Sequence, residues 1–356
     1  MINKNFIVGI NKEFKIFAVF LALTVFSSGC ASVNRNLHND FISMEQGYNY
    51  SPGFWYRIVE SVVKGSRIKN FFTGSPENVI KRAQDINSSF PPRPPAKFYR
   101  NFIVTETVIG DRSSFIITPK KNIQTDKAVF FLHGGGLMIN MTSVHWDVVE
   151  RIVKELSIPV CVPMYPVYPE INPDTIVSFV DKAFVEFYET YPDAYITGLG
   201  DSAGAYLLLS YCHYLTDSNA PRFPDKLICI SPCQTVGISE DILAEMKAQD
   251  ELDIIISIDV LVNLPYLYNV DADDLNYFNA PLYGDFSLFP PINVFIGTNE
   301  VFYPLIPPFV ELVRSQGKTI TLYTGHKMMH VWPYMPVARE SKHALNIILE
   351  LIRDFS

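Results

Sequence analysis

The sequence predicts an α/β fold with a mainly parallel sheet and helices on both of its faces. From about residue 101 onward, short apolar runs alternate with longer segments whose apolar residues recur every three or four positions. Two glycine-rich turns, at residues 133–136 and 200–204, each follow one of the apolar runs. Chains that alternate strands with helices form mainly parallel sheets covered on both sides. We therefore expect most of the chain to form one α/β core.

The predicted elements follow this alternation in order. Residues 101–107 and 114–118 are expected to be opening antiparallel strands, and the uninterrupted apolar run 128–132 is typical of a central parallel strand. Further strands are predicted at 158–164, 195–199, 227–230, 291–297 and 319–323. Helical spacing of apolar residues predicts helices over 144–156, from Pro173 to about 187, over 203–215 and near 344–352, with Pro173 in the first turn of its helix.

The string Gly200-Asp201-Ser202-Ala203-Gly204 fits the pattern G-x-S-x-G, which places a serine on a sharp turn between a strand and a helix. Such a turn exposes the serine hydroxyl above the sheet, and it favours glycine on both sides because glycine has no Cβ. Ser202 is therefore a candidate nucleophile. The N–H of Ala203, at the helix N-terminus, is a candidate donor to an oxyanion. An ordinary glycine-rich turn is the alternative.

The string His133-Gly134-Gly135-Gly136 follows the predicted central strand. Consecutive glycines allow the main chain to approach a reacting centre, where N–H groups can bind an oxyanion. A phosphate-binding loop is a poorer interpretation, because neither G-x-G-x-x-G nor a following Lys-Ser or Lys-Thr is present. His133 and Gly134 are expected to support the loop, with His133 packed beneath it and not acting as the base.

In chains whose nucleophile lies on such a turn between a strand and a helix, the histidine base follows the nucleophile, which leaves four candidates. His213 lies inside the helix that follows Ser202, and His343 lies on an amphipathic helix near the C-terminus. His326 and His330 follow the last predicted strand, where a base belongs. These two could instead be a metal pair, but the sequence offers no evident third ligand and no H-E-x-x-H motif.

The acid that orients the base is expected between nucleophile and base, on a loop after a strand. Glu300 ends the loop after the strand predicted at 291–297. Asp285 precedes that strand, Glu311 falls within a predicted helix, and the acids at 271–274 lie in a polar stretch typical of a solvated loop. Glu300 is thus the candidate acid, with a surface glutamate as the alternative.

With these residues placed, the chain resembles the hormone-sensitive-lipase group of α/β-hydrolases from about residue 95 to the C-terminus. The segments that carry the resemblance are 131–136, 165–170 (Tyr-Pro-Val-Tyr-Pro-Glu), 200–204, 230–232, 297–304 and 330–333 (His-Val-Trp-Pro). In this family the base begins the H-V-[WFY]-P string, so the resemblance favours His330 over His326. It also implies that Glu300 is the acid and that Gly135, Gly136 and Ala203 supply the oxyanion N–H groups.

The resemblance implies a serine carboxylesterase that acts on short- to medium-chain acyl esters, of the acetyl type, through an acyl-enzyme. No cofactor and no metal are expected, and the partner is a small acyl-ester substrate. A lipase and a sterol or polysaccharide deacetylase would share the same three residues. A non-catalytic binder on the same fold is the alternative from another class, although such binders lose the base histidine that this chain keeps.

The domain organisation is predicted as a helical N-terminal lid over 46–95 and a catalytic α/β-hydrolase domain over 96–356. The proline-rich stretch Pro91-Pro92-Arg93-Pro94-Pro95 is expected to be a stiff connection between them. A second lid segment is predicted at about 236–280. A lid excludes water and shapes an acyl pocket. A tether helix or a partner-binding surface is the alternative for the N-terminal segment.

The first thirty residues have the pattern of an export signal. Lysines precede the apolar run 16–26, and Ser27-Ser28-Gly29-Cys30 follows it. The run is short for a membrane span. The small residues before Cys30 resemble a bacterial lipobox, which predicts a signal peptide over 1–29, lipidation of Cys30 and a tether over 30–45. Because Ala31 follows Cys30, the outer membrane facing the periplasm is the predicted location of this lipoprotein. Secretion without a lipid is the alternative.

Composition and cysteine content bear on the partners and the thiols of this protein. The net charge is −8, and no basic patch predicts nucleic-acid binding. Of the five cysteines, Cys161, Cys212 and Cys229 fall in apolar elements and are expected to be buried thiols; Cys233 follows nearby. An oxidising compartment would also permit a disulfide. Nothing in the sequence predicts an oligomeric state.

Overall fold

An eight-stranded sheet forms the centre of the computed structural model, which describes residues 52–168, 173–268, 276–335 and 338–355. The strands are β1 (Phe102–Ile109), β2 (Arg112–Pro119), β3 (Lys127–Leu132), β4 (Val160–Pro163), β5 (Tyr195–Asp201), β6 (Lys226–Ile230), β7 (Ile292–Gly297) and β8 (Ile320–Gly325). Their order is β1-β2-β4-β3-β5-β6-β7-β8. Strand β2 pairs antiparallel with β1 and β4, and the other pairs are parallel. The predicted mainly parallel sheet with opening antiparallel strands is confirmed.

Helices precede the sheet and connect its strands. They are α1 (Phe54–Ser66), α2 (Pro76–Asn87), α3 (Ala96–Asn101), α4 (Ser143–Leu156), α5 (Pro173–Thr190), α6 (Ala203–Asp217), α7 (Glu240–Gln249), α8 (Val260–Tyr268), α9 (Ile306–Ser315) and α10 (Arg339–Arg353). Short 3-10 helices span Ile68–Phe72, Tyr303–Leu305 and Trp332–Tyr334. The predictions for the signal peptide, the tether and Cys30 lie outside the described residues, as do Pro169, Glu170 and the acids at 271–274.

The sheet separates two apolar cores, as the alternation along β3 shows. Ala128, Phe130 and Leu132 belong to one core, and Val129 and Phe131 belong to the other. Side chains of successive strand residues point to opposite faces, so a strand covered on both sides is apolar throughout. Helices α5, α6 and α9 contribute to the first core, and α1, α4 and α10 contribute to the second.

Helix α6 differs from its prediction. The spacing predicts an apolar stripe of Ala205, Leu208, Leu209 and Cys212 that faces the core, yet the structure buries every residue from Ala203 to His213. The reason is its central position, because α6 packs on the sheet beneath further elements, including Tyr206 against Phe278. A helix that is covered on all sides needs no polar face.

The N-terminal segment and the residues of the 236–280 insertion bond to each other and to the core. The Asn263 side chain donates to Phe72 O at 2.7 Å, and Lys69 pairs with Asp250 at 3.1 Å. Asn87 donates from its side chain to Met138 O at 2.8 Å, close to the H-G-G-G loop. These polar contacts join the residues after α1 to the insertion and to the loop that follows β3.

The four cysteines in the described part of the chain, Cys161, Cys212, Cys229 and Cys233, are buried free thiols. This agrees with the expectation for the three in apolar elements. Within the same residues, none of the helices has both the length and the apolar character that crossing a bilayer requires.

Candidate active site

Ser202 occupies the turn between strand β5 and helix α6, at the carboxyl edge of the sheet. Its backbone has φ 50° and ψ −122°, a region that residues with a side chain rarely adopt. Such a conformation costs on the order of 1–3 kcal/mol and persists only where the surroundings enforce it. The Ser202 side chain makes no capping hydrogen bond to helix α6, so its hydroxyl is available to another partner.

The two glycines of the turn are required by close contacts. A Cβ on Gly204 would lie 2.1 Å from Leu132 O, and a Cβ on Gly200 would lie 2.6 Å from Gly204 O. Both neighbours are main-chain atoms, which cannot move aside as a flexible side chain can. The G-x-S-x-G spacing is therefore a consequence of packing helix α6 directly onto strands β3 and β5.

Ser202, His330 and Glu300 form a continuous hydrogen-bonded chain. The distance from Ser202 Oγ to His330 Nε2 is 2.8 Å, and His330 Nδ1 lies 2.8 Å from Glu300 Oε2. A neutral imidazole with its proton on Nδ1 donates to the carboxylate and accepts from the hydroxyl. His330 is in the loop after β8, and Glu300 is in the loop after β7. The structure thus brings together the three side chains singled out in the sequence.

Glu300 is completely buried, and its second oxygen has its own donors. Oε1 accepts from the Gly297 N–H at 2.5 Å and from the Ser231 hydroxyl at 2.8 Å. Ser231 Oγ in turn accepts from the Val331 N–H at 3.0 Å, next to the base. These bonds leave Oε2 for the imidazole and set its direction. Ser231 was not singled out, although it lies in the Ile230-Ser231-Pro232 string that the resemblance quotes.

The charges around His330 raise the pKa of its imidazole. Burial by itself lowers the pKa of His330, but the hydrogen bond to Glu300 and its charge raise it by more. The charges of Asp253 and Asp201 add to this effect. The pKa of His330 therefore lies above its ordinary value. Burial raises the pKa of Glu300, while the bonds from His330 and the Gly297 N–H oppose that rise.

The glycine loop approaches Ser202 from the end of β3. Gly136 and Ala203 line the same pocket as Ser202, with Gly136 at φ +60°. Gly135, at φ +118°, accepts the Met138 and Ile139 N–H groups through its carbonyl and so closes the turn. Ala203 is the first residue of α6, where N–H groups have no acceptor within the helix. The loop therefore presents main-chain groups to the space beside the serine hydroxyl.

His133 and Gly134, which begin the loop, support it through buried contacts. The His133 ring stacks on Tyr165 with a centroid distance of 4.3 Å, and its Nδ1 lies 2.7 Å from Gly134 O. Burial lowers the pKa of His133 to about 3, so this imidazole stays neutral. Tyr165 also donates to His133 O. Of the other histidines considered, His326 is exposed, and His213 is buried with its Nε2 on Pro281 O at 3.2 Å.

Asp201 is a site residue that the sequence analysis missed. One carboxylate oxygen accepts from the Gly134 N–H at 3.2 Å, and the other lies 3.2 Å from His145 Nε2. His145 Nδ1 accepts from the Thr142 N–H at 3.0 Å, which leaves Nε2 as the donor to Asp201. Asp201 therefore ties the nucleophile turn to the glycine loop. Its place inside G-D-S-A-G was the signal that could have identified it.

Two further missed residues hold the acid and base loops from a distance in sequence. Asp253, in the insertion, accepts from the Val301 N–H at 2.9 Å through one oxygen, and from Ile255 and Ile256 N–H groups through the other. Tyr56 of α1 accepts from the Met329 N–H at 2.6 Å. Both side chains are buried. No local pattern around either residue distinguishes it from other aspartates and tyrosines.

A pocket opens beside Ser202 with about 410 Å³ of empty space that continues into solvent. Its walls are mainly apolar. Phe72 from the N-terminal segment and Ile256, Val260 and Leu264 from the insertion lie opposite Tyr206 and Phe302 of the core. Helix α1 itself packs in the second core, on the other side of the sheet, through Tyr56, Val59 and Val63. Among the described residues, no group of three or more His, Cys, Asp and Glu side chains is arranged to hold a metal ion.

Solved structures share this architecture. EstE5, in a crystal soaked with p-nitrophenyl butyrate, superimposes with a TM-score of 0.70 at 20% identity, covering 85% of this chain and 99% of that one. An esterase from the bacterial hormone-sensitive lipase family gives a TM-score of 0.65 at 20% identity, covering 82% of this chain and 96% of that one. These likenesses concern the fold.

Sequence comparison gives a family assignment. An acetyl-hydrolase from Streptomyces hygroscopicus is 24% identical over 232 residues, covering 65% of this chain and 76% of that protein. The profile of the family Abhydrolase_3, described as an alpha/beta hydrolase fold, matches residues 129–334, more than half of the chain. The matched range includes most of β3, the nucleophile turn, the acid loop and the base. The chain therefore belongs to the Abhydrolase_3 family, whose members have the alpha/beta hydrolase fold.

Proposed function

We propose that this protein is a serine carboxylesterase that hydrolyses short- to medium-chain acyl esters, including acetyl esters. The observation that carries the proposal is the hydrogen-bonded chain Ser202–His330–Glu300, with both distances at 2.8 Å, beside an apolar pocket. The relatives support it, because they include an acetyl-hydrolase and esterases.

In the first half-reaction, His330 Nε2 takes the proton of Ser202 as Oγ forms a bond to the ester carbonyl carbon. The carbonyl oxygen becomes an oxyanion, which the N–H groups of Gly135, Gly136 and Ala203 stabilise. Each such donor contributes roughly 3–4 kcal/mol to lowering the barrier. When the carbon–oxygen bond to the alcohol breaks, Nε2 returns the proton to the departing alcohol. Ser202 is left esterified.

In the second half-reaction, His330 Nε2 takes a proton from water, whose oxygen attacks the acyl carbon. The same N–H groups bind the second oxyanion. The bond to Ser202 Oγ then breaks, Oγ regains the proton from Nε2, and the carboxylic acid leaves. Throughout, Glu300 accepts the Nδ1 proton in a hydrogen bond and stabilises the imidazolium without itself taking that proton.

The pocket supports a preference for small acyl groups. Aromatic rings of Phe72, Tyr206 and Phe302 contribute to its walls, and the insertion adds Ile256, Val260 and Leu264. These side chains would bury an acyl chain of a few carbons in apolar surroundings. We propose that residues 46–95 and 236–280 act as the lid that excludes water, with Phe72 as the N-terminal contribution to the pocket.

The test is hydrolysis of p-nitrophenyl esters of increasing acyl length by the full chain. Ser202→Ala is expected to lower kcat on the order of a millionfold, as loss of a triad nucleophile does. The matched control is Ser210→Ala on the same helix, where the hydroxyl donates only to Tyr206 O at 2.9 Å. A fluorophosphonate should label the Ser202 peptide. Activity that survives Ser202→Ala, or label found elsewhere, contradicts the proposal, and a maximum at long acyl chains would indicate a lipase instead.

We also propose that the enzyme is exported as a lipoprotein, with Cys30 lipidated after removal of residues 1–29. The lysines before the apolar run 16–26 and the small residues before Cys30 support this. Labelling cells with a fatty-acid analogue should mark the wild-type chain and not Cys30→Ser. An unlabelled wild-type chain in the culture medium would favour simple secretion.

A further inference from the structure

Helix α1 has two apolar faces, and only one of them is used in folding. Tyr56, Val59 and Val63 are buried in the second core. Phe54, Ile58 and Val62, each four residues apart, lie on a different side of the helix, with Trp55 beside them. Their exposed fractions are 72% for Phe54, 59% for Trp55, 39% for Ile58 and 42% for Val62. We call these four residues the outer face of α1.

The outer face is held in place. The Gly53 N–H at the start of α1 donates to Glu340 Oε1 of α10 at 2.6 Å. One turn on, the Tyr56 hydroxyl accepts the Met329 N–H. Turning the outer face inward would break both bonds and expose the buried side chains. The four apolar residues are therefore fixed toward the outside of the fold, which is unusual for large side chains that are contiguous on one helix.

Positively charged side chains lie near the outer face. Arg57, Lys64 and Arg67 are exposed along or just after α1, and Glu60 is the one acidic residue of the helix. The whole chain carries a net charge of −8, so this local excess of positive charge opposes the general trend. An exposed apolar face with Trp and Phe, bordered by Arg and Lys, is the composition of a helix that lies in a lipid–water interface.

We propose that the outer face of α1 lies in the surface of a lipid bilayer, with Phe54, Trp55, Ile58 and Val62 among the acyl chains and the cations at anionic headgroups. The inference rests on the proposed export as a lipoprotein, and it does not depend on the esterase activity. Cys30 precedes Phe54 by about 24 residues. A segment of that length keeps its ends within a few tens of ångströms even without regular structure. An anchored Cys30 would thus hold α1 close to the bilayer.

The chain contains its own reporter for the test. Of its three tryptophans, Trp146 and Trp332 are buried, and Trp55 is exposed. The full chain is mixed with vesicles of phosphatidylethanolamine and phosphatidylglycerol whose acyl chains are brominated, because bromine quenches tryptophan that enters the hydrocarbon. We expect the vesicles to quench the emission of Trp55 alone. In the Trp55→Phe variant, the remaining emission should not be quenched. Replacing phosphatidylglycerol by phosphatidylcholine should weaken binding. Lys64→Gln should weaken binding to the anionic vesicles about fivefold, the effect of one cation near such a surface.

Variants separate docking from anchoring. Ile58→Glu places a charge on the outer face and should abolish the quenching. Ser61→Gln changes an exposed residue on the side of α1 that carries Arg57 and Lys64 without changing the charge, and it should leave the quenching as it is. Thermal unfolding checks that both variants fold. Without the lipid anchor, the Cys30→Ser chain should show weaker quenching. If adding Ile58→Glu to that chain removes the remaining quenching, the result supports the proposal. Vesicle binding without quenching of Trp55 overturns it, and so does the absence of vesicle binding. Shielding of Trp55 from acrylamide before vesicles are added also overturns it, because another segment or a second copy would then cover the face.

Discussion

Replacement of Glu300 by Gln tests the proposed mechanism most directly, because the substitution keeps the shape and changes one hydrogen-bonding group. In the structure the carboxylate accepts three hydrogen bonds, from Gly297 and Ser231 on Oε1 and from His330 on Oε2. An amide has one accepting oxygen and one donating nitrogen. If its oxygen keeps the two donors at Oε1, its NH2 faces His330 Nδ1, which must then become an acceptor.

That change moves the imidazole proton to Nε2, the atom that accepts from Ser202. The base is then in the wrong tautomer, and kcat is expected to fall about 10⁴-fold, as it does when the acid of a serine triad is made an amide. At 1.36 kcal/mol per tenfold change in rate, this is about 5.4 kcal/mol of barrier. The opposite amide orientation would keep the proton on Nδ1, but it would set the NH2 against the Gly297 N–H, so it is disfavoured.

The assay is steady-state hydrolysis of p-nitrophenyl acetate, with KM expected to change little because Glu300 does not line the pocket. Glu311→Gln, the same change at an exposed glutamate on α9, is the matched control and should be fully active. Thermal unfolding of both variants checks the fold. A Glu300→Gln enzyme whose kcat equals that of the wild type would refute the proposal that Glu300 holds the His330 proton on Nδ1.

Three further predictions follow from the same contacts. The hydrogen bond and charge of Glu300 raise the pKa of His330, and the base must be neutral to act. As pH is lowered, kcat/KM should therefore fall with a midpoint above the ordinary histidine pKa of about 6.5. A midpoint below that value would contradict the effect of Glu300 on His330. Asp253→Ala leaves three N–H groups without their acceptor, two of them buried, and should lower the free energy of unfolding by ~3 kcal/mol in a denaturant titration. The exposed Asp259→Ala should not, and equal midpoints would refute the role of Asp253. Gly204→Ala places a Cβ 2.1 Å from a main-chain carbonyl oxygen and should prevent accumulation of folded protein. In the control Gly65→Ala, the new Cβ meets nothing within 4 Å, and thermal unfolding should show α1 stabilised by about 0.5 kcal/mol. A folded, active Gly204→Ala enzyme would contradict the packing argument.

Much of the fold was predictable because its signals are local. Apolar runs such as 128–132 and 291–297 indicated strands that the structure contains as β3 and β7, with boundaries shifted by one residue or so. Helix α6 was less well predicted, since a stripe of apolar residues was expected and nearly the whole helix is buried. How many neighbours cover a helix depends on elements far away in the chain, and spacing within the helix does not record it.

The sequence by itself determined the elements that carry Ser202, Glu300 and His330, because a turn that needs glycine on both sides and a loop that follows a strand are local features. Only the tertiary structure decided which distant groups hold these loops: Asp253 on the acid loop and Tyr56 next to the base. It also decided that one apolar face of α1 stays outside the fold. The physical reason is that burial and hydrogen bonding between segments depend on distance in space. Many aspartates, tyrosines and apolar stripes look alike along a chain until folding places some of them against a partner and leaves others in solvent.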